Sequence, residues 1–269
     1  MRRLAIGPLV VGLFTVVAVV GPWLAPYPPD AIDLNRAFEL PGPGHLLGTG
    51  DNGVDLLSVL LHGARLALVV SLSAVGISVL VGATLGLVAG YRGGTADHVI
   101  TGIADLVQAF PAIILNIAML ALVARPGLVH LIAALSVSGW VLFARITRAQ
   151  TLLLREMDYV TAARALGASE ARVLARHVLP NLAGPLVIQA TGALGMTVLA
   201  ESTLSFLGLG PGTGVSWGAL LDQGSAVLLR FPHVALIAGS TIAATVLGFN
   251  LSGDYLRDLL DRQLTPSRR

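Results

Sequence analysis

The chain has 269 residues, 55% of them hydrophobic and only 12% charged, with 17 basic and 15 acidic side chains and a mean hydropathy of +0.80. Soluble globular domains carry about a quarter charged residues, so this composition excludes an ordinary water-soluble protein and defines an integral membrane protein. The absence of cysteine removes disulfides and thiolate metal sites.

A helix that crosses hydrocarbon needs about 20 apolar residues. Six stretches qualify: 4–24, 67–89, 99–123, 128–144, 182–207 and 234–250. All six are predicted as helices, because hydrocarbon offers backbone groups no partner. The first follows Arg2 and Arg3 and has some features of a cleaved signal peptide, but its length and its Gly21-Pro22-Trp23 exit favour an uncleaved anchor. The segment 25–66 comes next. Its Pro26-Tyr27-Pro28-Pro29 and Pro41-Gly42-Pro43-Gly44 runs disfavour helix. Asp51 or Asp55 then caps a short amphipathic helix predicted over 56–65.

The third span carries Asp105 and Gln108 ahead of Phe110-Pro111, where proline predicts a kink. An acid at that depth needs a partner, and Arg145 or Arg148 at the end of the fourth span can supply one. Asp105 then belongs either to a gate or translocation surface or to a fixed inter-helix ion pair. Asn116 and Gln189, both mid-span, face either a substrate backbone or a sister helix. Glu201 lies near the far end of the fifth span, where it lines an outer gate or bonds to Arg65 or a neighbouring helix. The stretch 208–231 opens with a Gly/Pro/Thr cluster, and its continuation 217–229 is too short and polar to span. Trp217 is predicted at headgroup depth. Six histidines at 45, 62, 98, 130, 177 and 233 show no ligand spacing.

Arginine placement sets the orientation. With the N-terminus inside, thirteen arginines fall on the inner side and only Arg36, Arg65, Arg125 and Arg230 outside. Both termini are therefore predicted to be cytoplasmic.

Between the fourth and fifth spans lies DYVTAARALGASEARVLARHVLPN, residues 158–181, with Arg155 just upstream. Good helix formers over 159–166 place Val160, Ala163 and Leu166 on or near one face. Gly167 can adopt the left-handed turn that ends such a helix, and Ser169 with Glu170 can open the next. Pro180 is harmless at the first turn of the following span. The product is a stiff elbow, suited to transmitting displacement.

This passage resembles the cytoplasmic coupling loop of ABC-importer permeases, whose pattern is E-A-A, three residues, G, then a spacer ending in L-P. Ala162-Ala163, Gly167 and Leu179-Pro180 stand at those spacings, and Thr161 stands where the pattern has Glu. Four other passages resemble the C-type permease subunit of the dipeptide/oligopeptide/nickel importers: HLLGTGDNGVDLLSVLLHGARLAL at 45–68, GLVAGYRGG at 86–94, ADLVQAFPAIIL at 104–115 and AESTLSFLGLG at 200–210. With LGFNLSGDYLRDLLD at 247–261 they follow the family order along nearly the whole chain. Val54 stands where the family carries Arg.

The resemblance implies an all-α membrane protein with six transmembrane helices, the type I ABC-importer permease fold, and a cytoplasmic coupling helix. It divides the chain into an N-terminal helix 1–24, an external segment 25–66, a five-helix core 67–261 with its coupling loop at 155–180, and a cytoplasmic tail 262–269. It implies a homologous permease partner, two cytoplasmic ABC ATPases that bind ATP and Mg, an external solute-binding protein, and a bacterial inner membrane. ATPase coupling would fall to Tyr159, Ala162, Ala163, Arg164, Leu166, Gly167, Ala168, Ser169 and Arg172, and the translocation path or gate to Asp105, Gln108, Asn116, Gln189 and Glu201. Glycines at 76, 82, 86 and 90 and at 184, 192 and 195 would mark packing faces within the permease pair. Peptide is the expected cargo, with nickel or a chelated metal as alternative.

The residues agree independently that this chain is not the motor. It has no G-x-x-x-x-G-K-[ST] loop and no lysine to serve one. A helix-turn-helix for nucleic acid has too little room in the insert, and the arginines can alternatively rest on anionic lipid. An ion-coupled secondary transporter would call for mid-bilayer charge and discontinuous helices, often in inverted repeats, and neither a repeat nor a mid-bilayer acid is visible. An intramembrane enzyme would need a catalytic cluster at one depth, and none is visible.

Overall fold

The computed structural model describes residues 6–212 and 215–264, with side chains up to 260. Arg2, Arg3, Leu4 and the side chains of the predicted tail 262–269 lie outside that description. Among the described residues the chain is helical, apart from turns and one isolated bridge between Thr49 and Asp55. Five helices are long and apolar enough to cross a membrane, and a sixth span arises if one bent pair is counted. The protein is thus a multi-pass membrane protein.

Helix α1 (Ile6–Leu24) is followed by the irregular segment predicted from its prolines, which contains two short 3-10 turns at Leu34–Arg36 and Asp51–Gly53. Asp55 does cap the next helix, accepting from the Ser58 backbone. The helix it starts does not stop at Arg65, however. Helix α2 (Leu56–Arg92) runs unbroken for 37 residues, because nothing between Arg65 and the apolar run interrupts it. At 1.5 Å per residue it is ~55 Å long. Its first turn is anchored by buried polar groups: His45 Nδ1 lies 2.8 Å from Asp55 Oδ1, and the Ser58 hydroxyl donates to Asp55 Oδ2 at 2.8 Å.

The third predicted span is more than kinked. Helices α3 (Gly94–Gln108) and α4 (Ala112–Ala121) meet at an angle of 81°. Pro111, which has no N–H to continue the ladder, sits at the N-cap of α4. Helix α5 (Leu128–Arg155) runs eleven residues beyond the predicted end at 144, carrying Arg145 and Arg148 within it. After two short helices, α6 (Asp158–Ala165) and α7 (Glu170–Val173), a π-helical turn at Leu174–Val178 leads into α8 (Leu179–Phe206). Helix α9 (Trp217–Ala226) precedes α10 (Pro232–Leu264).

Helix α2 is the hub, packing on α1, α3, α5, α8 and α9. On one side Phe14 of α1 meets the rings of Trp217 and Phe249 edge-on, with centroids 6.0 and 5.7 Å away. Trp217 is enclosed by the protein and not presented to headgroups: it is 2% exposed and donates its indole N–H to the Leu60 carbonyl at 3.0 Å. On the other side Val70 and Ala74 pack with Leu120, Leu131 and Leu204.

Three of the four α2 glycines, Gly82, Gly86 and Gly90, serve the chain's own core and not, as predicted, a subunit pair. A Cβ at Gly82 or Gly86 would collide with the carbonyls of Trp140 and Ala144 on α5, and one at Gly90 would come within 2.8 Å of the Arg148 carbonyl. Gly76 faces open space. Van der Waals packing supplies much of the attraction between helices in lipid, and small residues permit that closeness. Gly82→Leu should therefore cost about 1–3 kcal/mol or more through overpacking. A thermal melt of the detergent-solubilised subunit should show this loss, while Gly76→Leu should melt like the wild type.

Candidate functional site

Two places gather the residues singled out in the sequence: an elbow at one end of the bundle and a cleft within it. The elbow is built on a small apolar nucleus. Val160 of α6, Val173 of α7, Val178 and Leu182 are buried together with Leu154, against Leu87 and Tyr91 of α2. Helix α6 ends in a left-handed turn at Gly167, with φ of +83°. The Gly167 N–H donates to the Arg164 carbonyl at 2.9 Å, and the Ala168 N–H donates to the Ala163 carbonyl at 3.0 Å. Ser169 occupies the N-cap of α7, but its hydroxyl makes no capping bond; only its carbonyl accepts, from Arg172 and Val173.

Polar contacts tie this elbow to the end of α2. The Tyr91 hydroxyl donates to Glu170 Oε2, and Arg164 Nη2 donates to the same hydroxyl at 3.3 Å. The Arg164 guanidinium lies 5.6 Å from the centroid of the Tyr91 ring and 3.8 Å from Glu170 Oε1. Arg155 donates to the Gly90 carbonyl at 3.0 Å. Arg164 is thus turned toward its own chain, whereas Arg172 and Arg176 are exposed with no ion-pair partner among the described residues. Leu166 does not join Val160 and Ala163 on the packed face: it is 89% exposed at the tip, with Tyr159 and Ala162 exposed on the same helix. Thr161 is exposed as well, its hydroxyl 3.4 Å from the Met157 carbonyl of its own helix. Tyr91 escaped the sequence reading because its role depends on a residue 79 positions away.

The cleft has a volume of about 620 Å³ and lies between α2, the α3–α4 break, α5, α8 and α10. Gln108, Asn116 and Gln189 line it, and so does Asn250, which drew no notice in the sequence. Asp105 and Glu201 do not line it. Asp105 pairs with Arg145 across α3 and α5, Oδ1 to Nη2 at 2.6 Å, both side chains being largely exposed. Arg148 instead grips Asp97 through two bonds of 2.5 and 2.6 Å, a pair not foreseen. Glu201 is 1% exposed and is bonded not to Arg65 but to its neighbours on α8: Ser205 donates at 2.7 Å and Ser202 at 3.3 Å.

The fold is that of ABC-importer permeases. A chain of the MetNI methionine ABC transporter superposes with a TM-score of 0.62 at 21% identity, covering 77% of this chain and 97% of that one. A chain of an amino acid ABC transporter gives 0.59 at 17%, covering 76% and 94%. Residues 82–266 match the family described as the binding-protein-dependent transport system inner membrane component, and residues 3–43 match the N-terminal TM domain of oligopeptide transport permease C. The chain is 37% identical over 258 residues to the glutathione transport system permease protein GsiD of Pectobacterium atrosepticum, covering 95% of this chain and 85% of that one. It is 39% identical over 268 residues to the di/tripeptide transport system permease protein DppC of Pseudomonas aeruginosa, covering 96% and 87%, and 34% identical over 260 residues to the oligopeptide transport system permease protein OppC of Bacillus subtilis, covering 96% and 85%. The chain therefore belongs to the inner-membrane permease family of binding-protein-dependent ABC transport systems.

The contacts at Tyr91 carry their own test. Arg164→Ala removes the stacking on Tyr91 and the pairing with Glu170, two contacts that add to the apolar nucleus and the Tyr91–Glu170 bond in holding α6 and α7 to α2. Hydrogen exchange of the amides in 158–173 should speed up about fivefold, the effect of losing roughly 1 kcal/mol of local stability. Exchange within α10 should not change.

Proposed function

We propose that this subunit forms one half of the translocation path of a peptide importer and that its elbow receives the stroke of a cytoplasmic ATPase. Family membership supports the transport role. The names of three relatives, which concern glutathione, di/tripeptides and oligopeptides, support peptide as cargo. The path would be completed by a homologous permease, cargo would arrive from an external solute-binding protein, and two partner ATPases would hold ATP and Mg. The lack of a phosphate loop or any lysine here fits that division. The thirteen-to-four split of the arginines supports cytoplasmic termini and an elbow on the inner side.

One observation carries the lever assignment: an apolar tip stands on a stiff base. Leu166 projects into solvent beside exposed Tyr159 and Ala162, while Val160 and Val173 beneath are fully buried. Leu166, Tyr159 and Ala162 together form an exposed patch rimmed by polar residues, a surface that a partner's groove can cover. Ala162 and Ala163 let that groove approach closely, Ala168 and Ser169 continue the surface, and Arg172 offers a free cation to an acidic rim. A force applied at this tip passes through the nucleus to α8 and through Tyr91 to α2.

Gly167→Pro tests the lever. Proline fixes φ near −65° and has no N–H, so both the left-handed turn and the bond to Arg164 are lost. The expected outcome is a complex whose permease still inserts but which loses its ATPase on purification, or whose hydrolysis no longer responds to loaded binding protein. An assembled complex with normal stimulation would refute the assignment.

A further inference from the structure

The cleft contains four carboxamides from four helices: Gln108 of α3, Asn116 of α4, Gln189 of α8 and Asn250 of α10. No ionisable side chain lines it among the described residues. Its hydroxyls are already occupied: Ser138 donates to the Leu135 carbonyl, Thr197 to Ala193 and Thr203 to Leu199. The carboxamides are not. None of the four has a side-chain hydrogen bond to another described residue. Asn116 is 2% exposed, and its Oδ1 is a buried acceptor with no donor.

An unpaired amide at membrane depth is costly, and a helical bundle normally pairs it with a neighbour. Asn116 carries that cost here, while Gln189 is half-buried and Gln108 and Asn250 are exposed. Four such amides around one cavity suit a ligand that brings both N–H donors and C=O acceptors. A carboxamide presents one acceptor and two donors, the complement of a peptide unit. It reads the backbone and not the side chains. The apolar remainder of the wall, including Leu135, Phe143 and Met196, accommodates side chains without selecting a charge.

We propose that this cleft is a peptide-backbone binding site within the membrane domain, in which Asn116, Gln189 and Asn250, with Gln108 at the helix break, hydrogen-bond the main chain of the passing cargo. This rests on the peptide reading above. Such a site is tolerant of sequence and blind to net charge. It discriminates by the presence of backbone N–H groups.

The test compares uptake of radiolabelled trialanine with that of trialanine methylated on its central amide nitrogen, in proteoliposomes holding the whole importer. The binding protein's own affinity ratio for the two peptides is measured separately. In wild type the uptake ratio, per ATP hydrolysed, should exceed the binding protein's ratio by about fivefold, the effect of one neutral hydrogen bond. In the near-isosteric double variant Asn116→Leu, Asn250→Leu the excess should disappear. If that variant does not insert, Gln189→Met, at a half-buried position, makes the same comparison. Equal ratios in wild type, or an excess that survives substitution, would overturn the site while leaving peptide transport intact. Loss of the partner permease on purification of the variants would show instead that the amides bridge the two subunits. Wild-type vesicles that accumulate neither peptide would overturn the peptide reading itself, and the site with it.

Discussion

Every polar group that leaves water for hydrocarbon must be partnered inside the protein, and the architecture of this chain follows from that constraint. The backbone satisfies it by being helical almost throughout. Side chains satisfy it locally wherever they can: threonines and serines of the spans donate to carbonyls of their own helices, and Glu201 takes both of its donors from serines on α8. Charged groups pair across α3 and α5, Asp97 with Arg148 and Asp105 with Arg145. Against that background few buried groups are left without a partner among the described residues: Asn116 Oδ1, the hydroxyls of Thr147 and Thr151, and both ring nitrogens of His233. Of these, Asn116 alone lines the cleft.

The long α2 connects the two working ends of the molecule. At its start the His45–Asp55–Ser58 contacts hold the irregular segment 25–55, and at its end Tyr91 holds the elbow. Its glycines bring α5 into backbone contact along the same stretch. A helix clamped this tightly is suited to act as a rod, and on the proposed lever reading a displacement of the elbow would pass along α2 and α5 together. The place that can bend is the 81° break between α3 and α4, which borders the cleft.

Much of this was legible in the residues before any coordinates. Hydropathy located the spans to within a few turns, because burial in lipid needs only a run of apolar side chains. The left-handed turn at Gly167 and a cap at Asp51 or Asp55, of which Asp55 takes it, follow from chemistry confined to four or five neighbouring positions. Pro111 was correctly placed at a disruption, although its size was not foreseen, since a proline removes one bond without dictating where the chain goes next. Residue type placed Trp217 at headgroup depth but could not show that Leu60 and Phe14, far away in the chain, enclose it.

The sequence by itself determined the class of protein, the apolar segments long enough to span, the turn of the elbow and its family pattern. These depend on composition, local helix chemistry and a strongly asymmetric arginine distribution. Only the tertiary structure decided which polar groups were paired and which were left open. Arg164 could have faced a partner but turned to Tyr91, Glu201 closed on its own helix, and Asn250 joined three other amides around one cavity. Pairing in a helical bundle is set by how helices distant in sequence pack, and hydrophobic pattern alone carries too little information to fix that geometry.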